Sequence, residues 1–173
     1  MKKLTIFLAI FITILCINKE ENVTIPKEAI RFRVIANSNK EEDQMLKKKL
    51  VTNLKGDIKR LEFRPQNISD SRNKIKSQIP NFKKVIEKTL SEEKYPQKYS
   101  INYGMNYFPE KTYKGITYAA GEYESLVIKL GDGFGENFWC ILFPPLCLLD
   151  AEEEDINDVE YTSLVKEILD KYF

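Results

Sequence analysis

The apolar patterning predicts an α+β domain, with helices packed on one face of a mostly antiparallel four- or five-stranded sheet, preceded by a signal peptide. Three observations carry this prediction. An alternating, strand-like segment opens the domain, and two long amphipathic helical stretches follow it together. From Tyr95 onward the chain turns aromatic and alternating, with turn residues at short intervals.

The N-terminus stands apart. Met1-Lys2-Lys3 is basic, Leu4 to Ile17 is apolar apart from Thr5 and Thr13, and Asn18 to Asn22 is polar again. An ordinary spanning helix needs about 20 apolar residues, so the segment is read as a secretory signal. Leu15, Cys16 and Ile17 fill the positions where small residues would favour cleavage, which leaves an uncleaved anchor as the rival reading. The expected division is residues 1–25 as signal peptide or N-terminal anchor and 26–173 as a single domain, with Val23 to Lys27 as a linker. Membrane contact is expected only through the N-terminal segment, if it is retained.

Ala29 to Ala36 alternates apolar and basic residues before turning wholly apolar, as a strand entering a sheet does. Asn37-Ser38-Asn39 are turn and cap residues, and Glu41, Glu42 and Asp43 place negative charge in the first turn of a helix. Leu46, Leu50, Leu54, Ile58 and Leu61 mark its apolar face. Pro65 closes this segment. Ile75, Ile79, Phe82, Ile86 and Leu90 mark a second helical region over 69–94, where Pro80 predicts a kink or a division into two helices.

Tyr99 to Phe108 reads as a strand ended by Pro109, Glu110 to Gly115 as a loop, and Ile116 to Ala119 as a short edge strand. Gly121 to Leu130 is the clearest strand. Asp132-Gly133 is then expected to turn the chain into Phe138 to Phe143 as a hairpin. Pro144-Pro145 stops that strand, Ala151 to Asp155 is an acidic turn, and Val159, Leu164, Val165, Ile168 and Leu169 suggest a final helix.

Lys and Arg number 27 against 26 Asp and Glu, a formal charge of +1. That balance gives no electrostatic reason to expect nucleic acid as a partner. The absence of histidine removes Ser-His-Asp and Cys-His catalysis and the common histidine zinc sites. The glycines at 131, 133 and 135 precede a β-rich run instead of a helix, so they are read as a turn and not as a phosphate loop. Neither a metal, a cofactor nor a small-molecule substrate is expected. Cys140 and Cys147, in an exported chain, are either a disulfide pair or two buried thiols. Arg31 and Arg33 share one strand face, suited to a local ion pair or to a partner carboxylate.

Ile30 to Asn39 continuing to Glu42-Asp43-Gln44, and Gly121 to Leu126 continuing to the Phe138–Asp150 block with its tryptophan-cysteine and double proline, resemble the stage II sporulation protein R family of spore-forming Firmicutes. Tyr107-Phe108-Pro109 with Lys111-Thr112-Tyr113 fits the same pattern. The chain has Asn39 and Phe138 where that family usually has aspartate and a second tryptophan. The resemblance implies a signalling protein and not an enzyme, exported from the forespore into the intermembrane space. There it would activate a membrane-embedded aspartic protease of the mother cell, which then processes a sigma-factor precursor. The candidate contact residues are Arg31, Arg33, Asn37, Asp43 and Gln44, with Glu122, Glu124 and Trp139. The alternative is an exported cell-envelope enzyme using Glu122 and Glu124 as paired carboxylates, since residues two apart on a strand share a face.

Overall fold

The structure is a computed structural model describing residues 23–62, 64–113, 116–147 and 158–173, without the side chains of 158–160. Residues 1–22 of the segment read as a signal peptide or anchor over 1–25, and the acidic turn at 151–155, lie outside the described residues. The elements are β1 (Ile30–Ile35), α1 (Glu41–Glu62), α2 (Ile68–Glu92), β2 (Tyr99–Phe108), β3 (Lys111–Tyr113), β4 (Ile116–Tyr118), β5 (Gly121–Leu130), β6 (Asn137–Phe143) and α3 (Asp158–Tyr172).

Four strands form one sheet in the order β2-β5-β1-β6, and β3 pairs with β4 in a separate ribbon. The fold is the expected α+β class, with one parallel pairing, β1 to β5, at the centre of the sheet. That order corrects the expected hairpin between β5 and β6. β1 lies between them, so the loop over 131–136 crosses two strand spacings, roughly 10 Å, instead of one. β1 can occupy the centre because it buries both faces: Ile30, Phe32 and Val34 on one side, Arg31 and Ile35 on the other.

α1 and α2 cover the face that carries Phe32, Val34, Leu126, Ile128, Cys140 and Leu142. The periodicity read from sequence is the reason: Leu46, Leu50, Leu54 and Ile58 of α1 meet Ile75, Phe82 and Ile86 of α2 over the sheet. Full burial of such side chains contributes about 1.5–3 kcal/mol each. α2 is a single helix running through Pro80, so of the two expected outcomes the division into two helices does not occur. Apolar residues on both sides of the proline hold the helix to one core, offsetting the hydrogen bond that proline cannot donate. Asn67 caps α2 by accepting from the Asp70 amide at 3.0 Å, and Asp70 in turn accepts from the Gln66 amide at 3.1 Å.

A second apolar cluster joins Ile141, Ile116, Tyr118, Tyr161, Val165 and Leu169 with Val23, Ile25 and Ala29. Two expectations are corrected here. Val23 and Ile25, read as linker, are buried, and Thr24 bridges to Thr117. Lys111 to Tyr113, read as loop, is a strand paired to β4. Both segments are too short to display a period, and tertiary contacts decide their conformation.

Candidate functional site

Strand alternation turns Arg31 and Arg33 to the side opposite Phe32 and Val34. Register then decides what they meet: Arg33 pairs with Trp139 of β6 and Arg31 with Ser125 of β5. Arg31 is 1% exposed. Its guanidinium carbon stands 3.4 Å from the Tyr123 ring centroid, 5.3 Å from that of Phe108 and 5.9 Å from that of Tyr118. Arg33 lies 5.5 Å from the Phe108 ring and 5.8 Å from that of Trp139, and it donates to the Tyr107 carbonyl at 3.3 Å. Phe108 and Trp139 pack edge to face at 5.3 Å, and the Lys111 ammonium reaches over Trp139 at 5.2 Å.

Several of these side chains border a cavity of about 190 Å³, lined by Arg31, Lys111, Asn137 and Trp139 with Phe108 and Ile141 among its apolar walls. Burial pushes both arginine pKa values down, and at Arg31 the neighbouring Tyr123 and Tyr118 offset part of that effect. Arg31 nevertheless keeps its charge, since an arginine side chain does not deprotonate in proteins. Taking a guanidinium out of water costs several kcal/mol, and contact with ring faces recovers about 0.5–2 kcal/mol per favourable ring.

Asn37, Asp43 and Gln44 gather elsewhere, at the C-terminal end of β1, and each is engaged within the chain. Asp43 is buried and accepts from Asn37 Nδ2 at 2.9 Å, Ser38 Oγ at 2.6 Å and the Tyr95 hydroxyl at 3.2 Å. Burial works to raise its pKa, and the three donors outweigh it, so the carboxyl titrates below its usual range. Gln44 donates to the Ser38 carbonyl at 2.8 Å and accepts from the buried Lys47 ammonium at 2.6 Å.

The glycine-rich loop closes over this corner. Asn37 Oδ1 accepts from the Asp132 amide, and Asn39 Oδ1 from the Glu136 amide at 2.7 Å. The Phe134 and Gly135 amides donate to the Asn37 and Ala36 carbonyls. At Gly135 a Cβ would collide with the Ser38 carbonyl oxygen, so the loop needs glycine there to approach β1. The Asn-Ser-Asn motif thus holds the crossing loop, and Ser38 Oγ accepts from the Lys40 amide at 3.2 Å just ahead of α1.

Glu122 and Glu124 share one strand face, as expected from their spacing, on the side of α1 and α2. Glu124 forms a two-pronged pair with Arg72 at 2.8–3.0 Å and accepts from the Tyr103 hydroxyl at 2.5 Å. Burial acts to raise the Glu124 pKa, but Arg72 and Tyr103 overcome it and hold the carboxyl below its ordinary value. Glu122 remains exposed. Cys140 and Cys147 are joined in a disulfide, with Cα atoms 4.9 Å apart. This settles the two readings left open by sequence. Their loop is further tied down where the Cys147 amide donates to buried Glu62 at 2.7 Å.

Sequence reasoning therefore brings together Arg31, Arg33 and Trp139, but misses Phe108, Tyr118, Tyr123 and Lys111 as their surroundings. The signal was present in part. Phe108 and Tyr123 lie on the same side of paired strands, yet this follows only once β2 is set against β5 and β1 against β5. Among the described residues, no group of three Asp, Glu or Cys side chains is placed to hold a metal ion, and no helix is long and apolar enough to cross a membrane.

Fold and site together define an α+β domain whose sheet buries a cationic, aromatic-walled cavity on the side away from its helix pair. A family model described as stage II sporulation protein R (spore_II_R) matches residues 26–153, and the chain belongs to that family. A stage II sporulation protein R from Bacillus subtilis (strain 168) is 40% identical over 134 residues, covering 76% of this chain and 60% of that relative. The chain thus aligns with less than two-thirds of that relative's length. No solved structure matches it.

Proposed function

We propose that the chain is an exported sporulation signal acting by recognition and not by catalysis. In this reading it crosses from the forespore into the intermembrane space and binds a membrane-embedded aspartic protease of the mother cell. The protease then processes a sigma-factor precursor. Membership of the stage II sporulation protein R family across residues 26–153 is the observation that carries the sporulation role. An activating ligand must bind the active arrangement of its receptor better than the inactive one, because only that difference shifts the equilibrium. A disulfide-bonded domain with a rigid sheet can present such a surface.

The paired-carboxylate alternative is less well supported by the geometry. A general acid needs a raised pKa, whereas Glu124 is held ionised by Arg72 and Tyr103. Of the contact residues named from sequence, we favour Arg33 and Trp139, which are half-buried beside the cavity. Asn37, Asp43 and Gln44 are assigned mainly to holding the loop that frames that surface. Arg33→Glu and Trp139→Ala should each reduce precursor processing in sporulating cells at least tenfold at unchanged protein level, while Glu122→Gln should not. Normal processing in both of the first two variants would remove this surface from the account.

A further inference from the structure

We propose that the cavity beneath β1 is a binding site for a carboxylate carrying a short apolar body. Arg31 supplies the reason. It is 1% exposed, it lines the cavity, and its Nε, Nη1 and Nη2 have no hydrogen-bond partner among the described residues. The Tyr123 ring lies against the guanidinium face, and its hydroxyl donates to the Ala119 carbonyl at 2.9 Å. With that hydroxyl donating elsewhere, the guanidinium N–H fork is left without a hydrogen-bond partner among the described residues. That fork matches the two oxygens of a carboxylate.

The rest of the lining points the same way. Among the described residues, the one other ion in the wall is the Lys111 ammonium, and no described Asp or Glu borders the space. Trp139 Nε1, a donor, and Asn137 Oδ1, an acceptor, are buried and likewise without partners among the described residues. Two cations and an indole N–H favour an anion, and Asn137 would take a donor on the ligand body. Buried polar groups normally find partners, and three residues without them around one cavity are unusual. Phe108, Ile141 and the Trp139 ring supply apolar walls that suit a hydrocarbon or aryl group.

Size narrows the class. At about 30 Å³ of liquid volume per water, a cavity of about 190 Å³ corresponds to roughly six waters. This suits a carboxylate with a short apolar substituent. The same chemistry occurs in a free small acid, in a peptide C-terminus and in an acidic side chain.

The inference is independent of the signalling role, and its test requires neither receptor nor protease. The full chain in detergent would be titrated calorimetrically with benzoate, 3-methylbutanoate, N-acetyl-leucine and N-acetyl-glutamate α-methylamide. The primary amides of the four acids serve as uncharged controls, and inorganic phosphate tests for general anion affinity. At least one carboxylate should bind on the order of tenfold or more tighter than its amide, and Arg31→Lys should lose about tenfold of that affinity. Preference for the benzoate or 3-methylbutanoate arm supports the site with a free acid as ligand. Preference for N-acetyl-leucine or the glutamate derivative supports it with a peptide as the source.

Should Arg31→Lys fail to fold, Trp139→Phe removes the indole donor while keeping an aromatic wall, and it should weaken the same carboxylate severalfold. Equal affinity for acid and amide, equal affinity for phosphate, affinity unchanged by the substitutions, or no binding at millimolar concentration would each overturn the proposal.

Discussion

Asp43 offers the sharpest test of how the site is framed. It is 7% exposed and accepts three hydrogen bonds, from Asn37, Ser38 and Tyr95. A bond to a charged acceptor contributes roughly 1.5–3 kcal/mol in isolation. The three are not additive, and the half-exposed Asn37 and Ser38 can turn to water. The expected cost of Asp43→Ala is therefore about 3 kcal/mol. For a chain of this length that lowers Tm by roughly 6–12 °C, and Asp43→Asn, which keeps the volume and some of the bonds, should cost about half as much.

The assay is urea denaturation followed by tryptophan fluorescence, with a double-mutant cycle against Asn37→Ala. A coupling energy of about 1 kcal/mol or more is expected, because the two side chains bond directly and Asn37 also holds the Asp132 amide. The dependence on pH has a definite sign. The folded pKa of Asp43 is depressed, so its contribution is present above the unfolded value of about 3.9 and is lost as pH falls through the folded value. Wild type and Asp43→Asn should converge in stability over that acid range. A cost below about 1 kcal/mol, no coupling to Asn37 and abolished signalling would together refute the structural assignment and make Asp43 a contact residue.

Reduction of the Cys140–Cys147 disulfide, or Cys147→Ser, should cost about 2–3 kcal/mol in the chain-entropy model for a loop of this length, read as a fall in denaturation midpoint. Gly135→Ala should cost about 1–3 kcal/mol through its clash with the Ser38 carbonyl, whereas Gly104→Ala, with nothing within 4 Å of the added carbon, should change stability little; both are measured in the same denaturant series. Glu124→Gln should cost about 1 kcal/mol, since solvent screens its half-exposed ion pair with Arg72, and should leave signalling intact. At alkaline pH, Tyr95 and Tyr99 have pKa values raised to about 12, chiefly by burial. The folded state therefore holds their protons longer than the unfolded state, and stability should fall as pH rises from about 10 towards 12.

The elements with a full period were legible in the residues themselves. Tyr99 to Phe108 and Gly121 to Leu130 are strands with the boundaries expected from alternation, and α1 and α2 bury the leucine and isoleucine faces that the spacing marked. What failed was neighbour choice. Gly131 to Glu136 looks like a hairpin turn because glycine and aspartate permit tight reversal, but nothing local reveals that β1 will occupy the gap. The partners of Asn37 and Asn39 lie 95 and 97 positions away in sequence, beyond the reach of any local pattern.

The site was legible to the same depth. Alternation placed Arg31 and Arg33 on one face, but their aromatic surroundings depend on the registers of β2, β5 and β6. Glu122 and Glu124 illustrate the converse. Their shared face was correctly inferred, while the Arg72 and Tyr103 that neutralise the catalytic reading come from other elements.

The most direct test of the central claim is sigma-factor precursor cleavage reconstituted in a non-sporulating host. The full chain, and a version lacking residues 1–22 so as to spare buried Val23 and Ile25, would each be co-expressed with the mother-cell membrane protease and the precursor. Cleavage with the full chain, and none with the truncated one held in the cytoplasm, is the predicted result. A folded, exported chain beside a competent protease that leaves the precursor intact would contradict the account.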